Sequence, residues 1–177
     1  MFTAIIAGIT EQHRTKEGAF DIDTYVQDVN QVLRKLGHGE WHATMLVARF
    51  IPGSEELELV NCGQSFPVLV YPEGSKHKST TIRLPSMVLG VDPEVSTCRK
   101  TIPFESGTQM LMYTDGLEEA KGGPKNKQFG RKRILKTCIE SADSPKKQIG
   151  VLHSEWASHL GDNVADDDMC LVSVRAA

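Results

Sequence analysis

Hydrophobic periodicity changes character twice along this chain, and the order of those changes restricts the fold more than any single motif does. Phe2, Ile5, Ile6 and Ile9 recur at helical spacing and give a first helix, running to about Arg14, an apolar face. Asp21 or Asp23 can cap a second helix, in which Tyr25, Val29, Val32, Leu33 and Leu36 form one stripe before Gly37 ends it. The period then becomes extended. Residues 43–50, 57–61, 67–71, 81–84, 96–103 and 109–114 read as strands, with Pro52-Gly53, Pro72-Glu73-Gly74 and Glu105-Ser106-Gly107 as turns. From Phe129 the helical period resumes, with Ile134, Leu135 and Cys138 on one face, then Ile149, Leu152, Trp156 and Leu160 on another. Gly161-Asp162-Asn163 precedes a last apolar strand from Met169 to Val174. Helices, a meander of antiparallel strands, helices and one final strand describe a layered α+β domain, not an alternating parallel α/β fold.

The strand Gln109 to Thr114 runs directly into Asp115 and Gly116, and the last strand is entered through Asp166-Asp167-Asp168. If these strands pair antiparallel, the end of the first lies beside the start of the second, and Asp115 meets the aspartate cluster at one sheet edge. An oxygen-rich edge of this kind suits a hard divalent cation, Mg²⁺ or Mn²⁺. Taken alone, Asp115 reads first as a turn carboxylate bonded to the backbone, and the aspartate run equally as a solvated loop; together, the second cluster and the switch to an apolar strand favour the ligand reading.

The rest of the sequence is bland in informative ways. With 177 residues, 40% hydrophobic and 24% charged, it matches one soluble domain over residues 1–177. A formal charge of −3 gives no reason to expect nucleic acid or an anionic membrane as partner. No segment approaches the ~20 apolar residues of a membrane span, so a cytoplasmic location is expected. Cys62, Cys98, Cys138 and Cys170 are scattered without zinc-ligand spacing, which argues against a disulfide framework or a structural zinc. Gly37-His38-Gly39 is a helix C-terminal turn. Residues 121–133 carry six basic side chains and no acidic one; they read first as a solvated loop and second as a flap that attracts a phosphorylated or acidic partner.

Several motifs occur in a distinctive order: Asn61-Cys62-Gly63-Gln64, Leu89-Gly90-Val91, Tyr113-Thr114-Asp115-Gly116-Leu117-Glu118-Glu119-Ala120, Phe129-Gly130 and Asp167-Asp168-Met169. As a set they resemble the SpoIIE/RsbU type of metal-dependent serine/threonine phosphatase, related to protein phosphatase 2C. The resemblance implies a four-layer α-β-β-α sandwich of antiparallel sheets with a dinuclear Mn²⁺ or Mg²⁺ centre. It implies hydrolysis of phosphoserine or phosphothreonine on a bacterial regulatory phosphoprotein such as an anti-sigma-factor antagonist. Asp115 matches the metal aspartate of the family's Thr-Asp-Gly motif, and Asp167 the first of its C-terminal acidic pair.

The departures count as well. The family's Gly-Asp and Asp-x-x-Gly-x-Gly motifs, with the strands that carry them, are not in these residues, and Gln64 stands where histidine is common. The sequence therefore reads as N-terminally truncated relative to the family. A catalytically weak or inactive phosphatase-like binding module is the alternative reading. Sheet edges left without those strands predict a homo-oligomer.

Overall fold

The computed structural model describes residues 2–15, 20–51, 53–84 and 87–177. In chain order its elements are α1 (Phe2–Thr15), α2 (Ile22–Gly37), β1 (Met45–Phe50), β2 (Glu56–Cys62), β3 (Val68–Glu73), β4 (Lys76–Thr81), β5 (Lys100–Pro103), β6 (Gln109–Tyr113), α3 (Asp115–Glu118), β7 (Lys121–Gly122), β8 (Lys127–Gln128), α4 (Arg131–Glu140), α5 (Pro145–Leu160) and β9 (Leu171–Arg175). Every paired strand runs antiparallel to its neighbour, as an α+β fold of this kind requires. The elements form two compact units, Met1–Gln64 with Leu84–Pro103 and Ser65–Arg83 with Phe104–Ala177.

The first unit holds α1, α2 and a three-stranded sheet in the order β1-β2-β5. Its core gathers Ile22, Tyr25, Val26, Val29 and Leu33 of α2 with Val60, Cys62, Leu89 and Val95, and Ile5 and Ile6 of α1 pack against it. Leu36, assigned by spacing to the stripe, is instead 50% exposed, and Ile22 and Val26 complete the buried face at the other end of the helix. Two amides tie α2 to the segment before β5. Asn30 donates to the carbonyls of Asp92 and Pro93 and accepts the Gly90 N–H at 2.7 Å. Gln27 donates to the Val95 carbonyl at 2.6 Å and accepts its N–H.

Of the two candidate caps for α2, Asp21 is the one used: its carboxylate accepts the Thr24 N–H at 3.0 Å and the Thr24 hydroxyl. Those bonds hold its carboxyl below the ordinary value, with Arg99 adding to the effect. A depressed carboxyl stabilises the fold above its unfolded pKa and ceases to do so as pH falls through its folded value. Asp21→Ala is therefore expected to cost about 1 kcal/mol at neutral pH. In urea titrations the difference from the parent should shrink on acidification below about 3.9.

The second unit holds a four-stranded sheet in the order β4-β3-β6-β9, with α3, α4, α5 and the β7–β8 ribbon. Val68, Val70, Leu111 and Tyr113 from the sheet meet Ile134 and Cys138 of α4 and Leu152 and Leu160 of α5 in one core. Ser144 caps α5, accepting the Lys147 N–H at 3.2 Å, with Pro145 in the first turn. Buried Gln109 of β6 donates to the Ser173 hydroxyl of β9, which donates to Gln148 of α5, so a polar relay runs through this core.

The strands depart from a simple meander. β5 returns to pair with β2, and β3 lies between β4 and β6. The strand expected over residues 81–84 is in fact β4, Lys76–Thr81, an edge strand paired in a hairpin with β3. Its sequence, Lys-His-Lys-Ser-Thr-Thr, carries no apolar alternation because none of its side chains is fully buried on either face of this edge strand. Residues 96–99 are not in a strand, and β1 begins at Met45, with Ala43 joined to Leu89 only by an isolated bridge. Pro52 of the expected Pro52-Gly53 turn lies outside the described residues. All four cysteines are free, and burial pushes the Cys62 thiol up to about 11 and the Cys138 thiol up to about 12, which makes both inert packing groups. Among the described residues no helix is long and apolar enough to cross a membrane.

Candidate functional site

The antiparallel register of β6 and β9 pairs Tyr113 with Leu171, so the chain leaves β6 at the point where it enters β9. Thr114 joins the two ends. Its N–H donates to the Cys170 carbonyl at 3.1 Å, its hydroxyl donates to the Asp168 carbonyl at 3.1 Å, and that hydroxyl accepts the Cys170 N–H at 2.9 Å. Asp115 follows as the first residue of α3, and buried Gly116 lies against the Asp167-Asp168 backbone. The predicted meeting of Asp115 with the aspartate cluster is thus realised at the level of the chain.

Asp115, Asp166, Asp167 and Asp168 are all exposed at this rim. Oδ1 of Asp115 accepts the Gly116 N–H at 3.1 Å, and Oδ1 of Asp167 accepts the Asp168 N–H at 2.7 Å. Asp115 therefore has the turn bond that sequence reasoning set against its ligand role, and Asp167 has a bond of the same kind. Neither forms an ion pair with a described residue, whereas Asp166 faces Lys121 at 3.6 Å. A cavity of about 100 Å³ opens between Gly116, Glu119, Lys121, Gln128, Asp166 and Asp167.

Three contacts that sequence spacing did not disclose fix this corner. Glu118 accepts hydrogen bonds from Arg131 at 2.9 and 3.2 Å and from the Tyr113 hydroxyl at 3.1 Å, which braces α3 against β6 and the start of α4. Burial, then the Glu118 charge, push the Tyr113 hydroxyl up to about 12, so it stays a neutral donor. Trp156 of α5 donates its indole N–H to the Gly116 carbonyl at 3.1 Å. Trp156→Phe removes that bond together with the five-membered half of the indole packed against the core, and a loss of at least about 1 kcal/mol in denaturant titrations is expected.

A hard cation takes six or more oxygen ligands, and those not supplied by protein are water. Among the described residues no group of three or more His, Cys, Asp or Glu side chains is gathered in a way that could hold a metal ion. Asp115 and Asp167 have the right donor chemistry, but by themselves they do not complete a metal centre.

The family model for stage II sporulation protein E (SpoIIE) matches residues 1–177. The chain belongs to the SpoIIE family. Solved structures share its fold at low identity. Over 99% of this chain and 68% of the other, the SiaA-PP2C domain of Pseudomonas aeruginosa superposes with a TM-score of 0.80 at 16% identity. The PP2C phosphatase domain and regulatory fragment of SpoIIE from Bacillus subtilis match at 18% identity and TM-score 0.73, over 99% of this chain and 48% of that one. The catalytic domain of the serine/threonine protein phosphatase PstP, solved in complex with two manganese ions, matches at 17% identity and TM-score 0.61, over 97% and 79%. The chain thus spans about two thirds and about half of the first two. No curated protein matches it.

Proposed function

We propose that this chain acts as a protein serine/threonine phosphatase, hydrolysing phosphoserine or phosphothreonine on a bacterial regulatory protein such as an anti-sigma-factor antagonist, in the cytoplasm. One observation carries the reading: in a chain of this family, the β6–β9 register brings Asp115 beside Asp167 at one exposed rim, with a cavity alongside. The turn bonds use one oxygen of each carboxylate, and exposed carboxylate oxygens at a rim where Asp167 also lines a cavity suit the binding of a cation-neutralised phosphoryl group.

Mn²⁺ or Mg²⁺ dependence is part of the proposal. It is supported by the donor chemistry of the pair and by the manganese in PstP, and it must draw further ligands from beyond Asp115 and Asp167. The chain's own contribution is positional: Thr114 and Gly116 fix the separation of the two strand ends, and Glu118 with Arg131 holds the helix that starts at Asp115. Self-association through β1, β5, β4 or β9, the edge strands of the two sheets, also belongs to the proposal. A strictly monomeric species in solution scattering would count against it.

Hydrolysis of p-nitrophenyl phosphate and of a phosphoserine peptide, followed with Mn²⁺ and with EDTA, tests the central reading. Turnover that requires the metal supports it. Its absence under both conditions turns the reading toward a binding module.

A further inference from the structure

The six basic residues of 121–133 do not form a shapeless loop: Lys121–Gly122 and Lys127–Gln128 pair as a ribbon, and Arg131 opens α4. The ribbon is seated on the end of α5. Gly123 donates its N–H to the His159 carbonyl at 2.9 Å, and a Cβ on Gly122 would stand 1.9 Å from that same oxygen, so only glycine allows the approach. Beyond the seat lies an open pocket of about 280 Å³, lined by Lys125, Lys127, Arg133 and His159 together with Gly122, Gly123 and Pro124.

Two of its four polar groups are held in place. His159 donates from Nε2 to the Lys127 carbonyl at 2.8 Å, so its Nδ1 is the acceptor for Arg133 Nη1, also at 2.8 Å. Arg133 further lies over the Phe129 ring, 4.9 Å from its centroid. A guanidinium has five N–H donors, and one is spent on His159. Among the described residues no carboxylate lies within ion-pair distance of Lys125, Lys127 or Arg133, whereas Arg131 and Lys121 are paired with Glu118 and Asp166. The pocket therefore concentrates cationic donors that have no anion.

Its position gives the anion a source. Lys121 and Gln128, one rung of the ribbon, line the cavity shared with Asp166 and Asp167; Gly122 and Lys127, the next rung, line the basic pocket. Successive rungs are only ~3.4 Å apart and face opposite ways. We infer that this pocket is a binding site for acidic side chains of the phosphoprotein substrate, near the phosphorylated residue. This inference rests on the phosphatase reading for the identity of the ligand. A nucleic acid fits less well, because its continuous phosphodiester charge would meet the aspartate rim one rung away, and the single aromatic of the basic run, Phe129, is buried in the core and not available for base stacking.

The test is fluorescence anisotropy of a labelled glutamate-rich peptide and a neutral peptide on the whole chain, alongside kcat/KM for phosphoserine peptides with acidic or neutral flanks. Lys125→Glu with Lys127→Glu should weaken acidic-peptide binding roughly tenfold and abolish the preference for acidic flanks. Lys127→Gln should give a smaller loss, and the control pair Lys76→Glu with Lys146→Glu, of equal charge change, none. Equal binding to parent and Lys125→Glu/Lys127→Glu, no binding at low ionic strength, or tighter binding of a single-stranded oligonucleotide would overturn the inference. The two readings separate cleanly. Acidic-peptide binding lost in the charge reversals, without hydrolysis in any protein, sinks the phosphatase and supports the pocket; hydrolysis indifferent to flanks, without peptide binding, does the reverse.

Discussion

Asp115→Asn is expected to lower Mn²⁺-dependent turnover of a phosphoserine peptide by at least about 100-fold, with stability within about 1 kcal/mol of the parent. The asymmetry follows from what the carboxylate does in the fold. Asp115 is exposed, has no ion pair with a described residue, and its carboxylate accepts one hydrogen bond, from the Gly116 N–H at 3.1 Å. An asparagine carbonyl oxygen accepts that same N–H, so the turn survives and only the charge is lost. A structural turn carboxylate would tolerate this change; a group that binds a cation or orients a cation-bound phosphoryl group would not. Asp167→Asn is the companion, since the Asp167 bond to the Asp168 N–H is likewise preserved by an amide. Parallel assays of turnover and thermal unfolding decide the matter, and unchanged turnover in Asp115→Asn sinks the assignment of that residue.

What could be read from the sequence was governed by how far each contact reaches. The helices announce themselves through local periodicity and caps, and the structure ends α2 at Gly37 and α5 just before Gly161. Asp115 and the aspartate cluster could be linked because two strongly apolar strands make their antiparallel pairing the natural arrangement, and one pairing aligns more than fifty intervening residues at once. β4 escaped because a polar edge strand buries no continuous face and so leaves no apolar pattern. The pairing of β5 with β2 is set by long-range sheet formation that no local signal encodes. The Glu118–Arg131 brace, the Trp156 bond to Gly116 and the seating of the ribbon on His159 join residues distant in sequence through polar groups, for which hydrophobic spacing has no sensitivity. The basic run was visible as composition; its pocket was not.

Gly116→Ala is expected to damage stability and activity together, the opposite pattern to Asp115→Asn. A Cβ at this position would stand 2.5 Å from the Asp168 carbonyl oxygen, 2.9 Å from its carbonyl carbon and 3.2 Å from the Asp167 carbonyl oxygen. These are backbone atoms, so no side chain can rotate away to relieve the clash. The segment cannot retreat easily either, because Thr114 holds the Asp168 carbonyl and the Cys170 N–H, and Trp156 holds the carbonyl of Gly116 itself. One added methyl must therefore push the start of α3 away from the entry to β9, breaking at least one of these bonds. Overpacking of this kind costs roughly 1–3 kcal/mol, and the loss of a hydrogen bond adds about 1 kcal/mol. The same displacement moves Asp115 away from Asp167, so turnover should fall by about 100-fold or more even at temperatures where the variant is fully folded. Denaturant titration and peptide hydrolysis on one preparation separate the two effects. A variant as stable as the parent would mean that the Asp167-Asp168 backbone yields freely; a destabilised but fully active one would mean that the separation of the two strand ends does not matter to the chemistry.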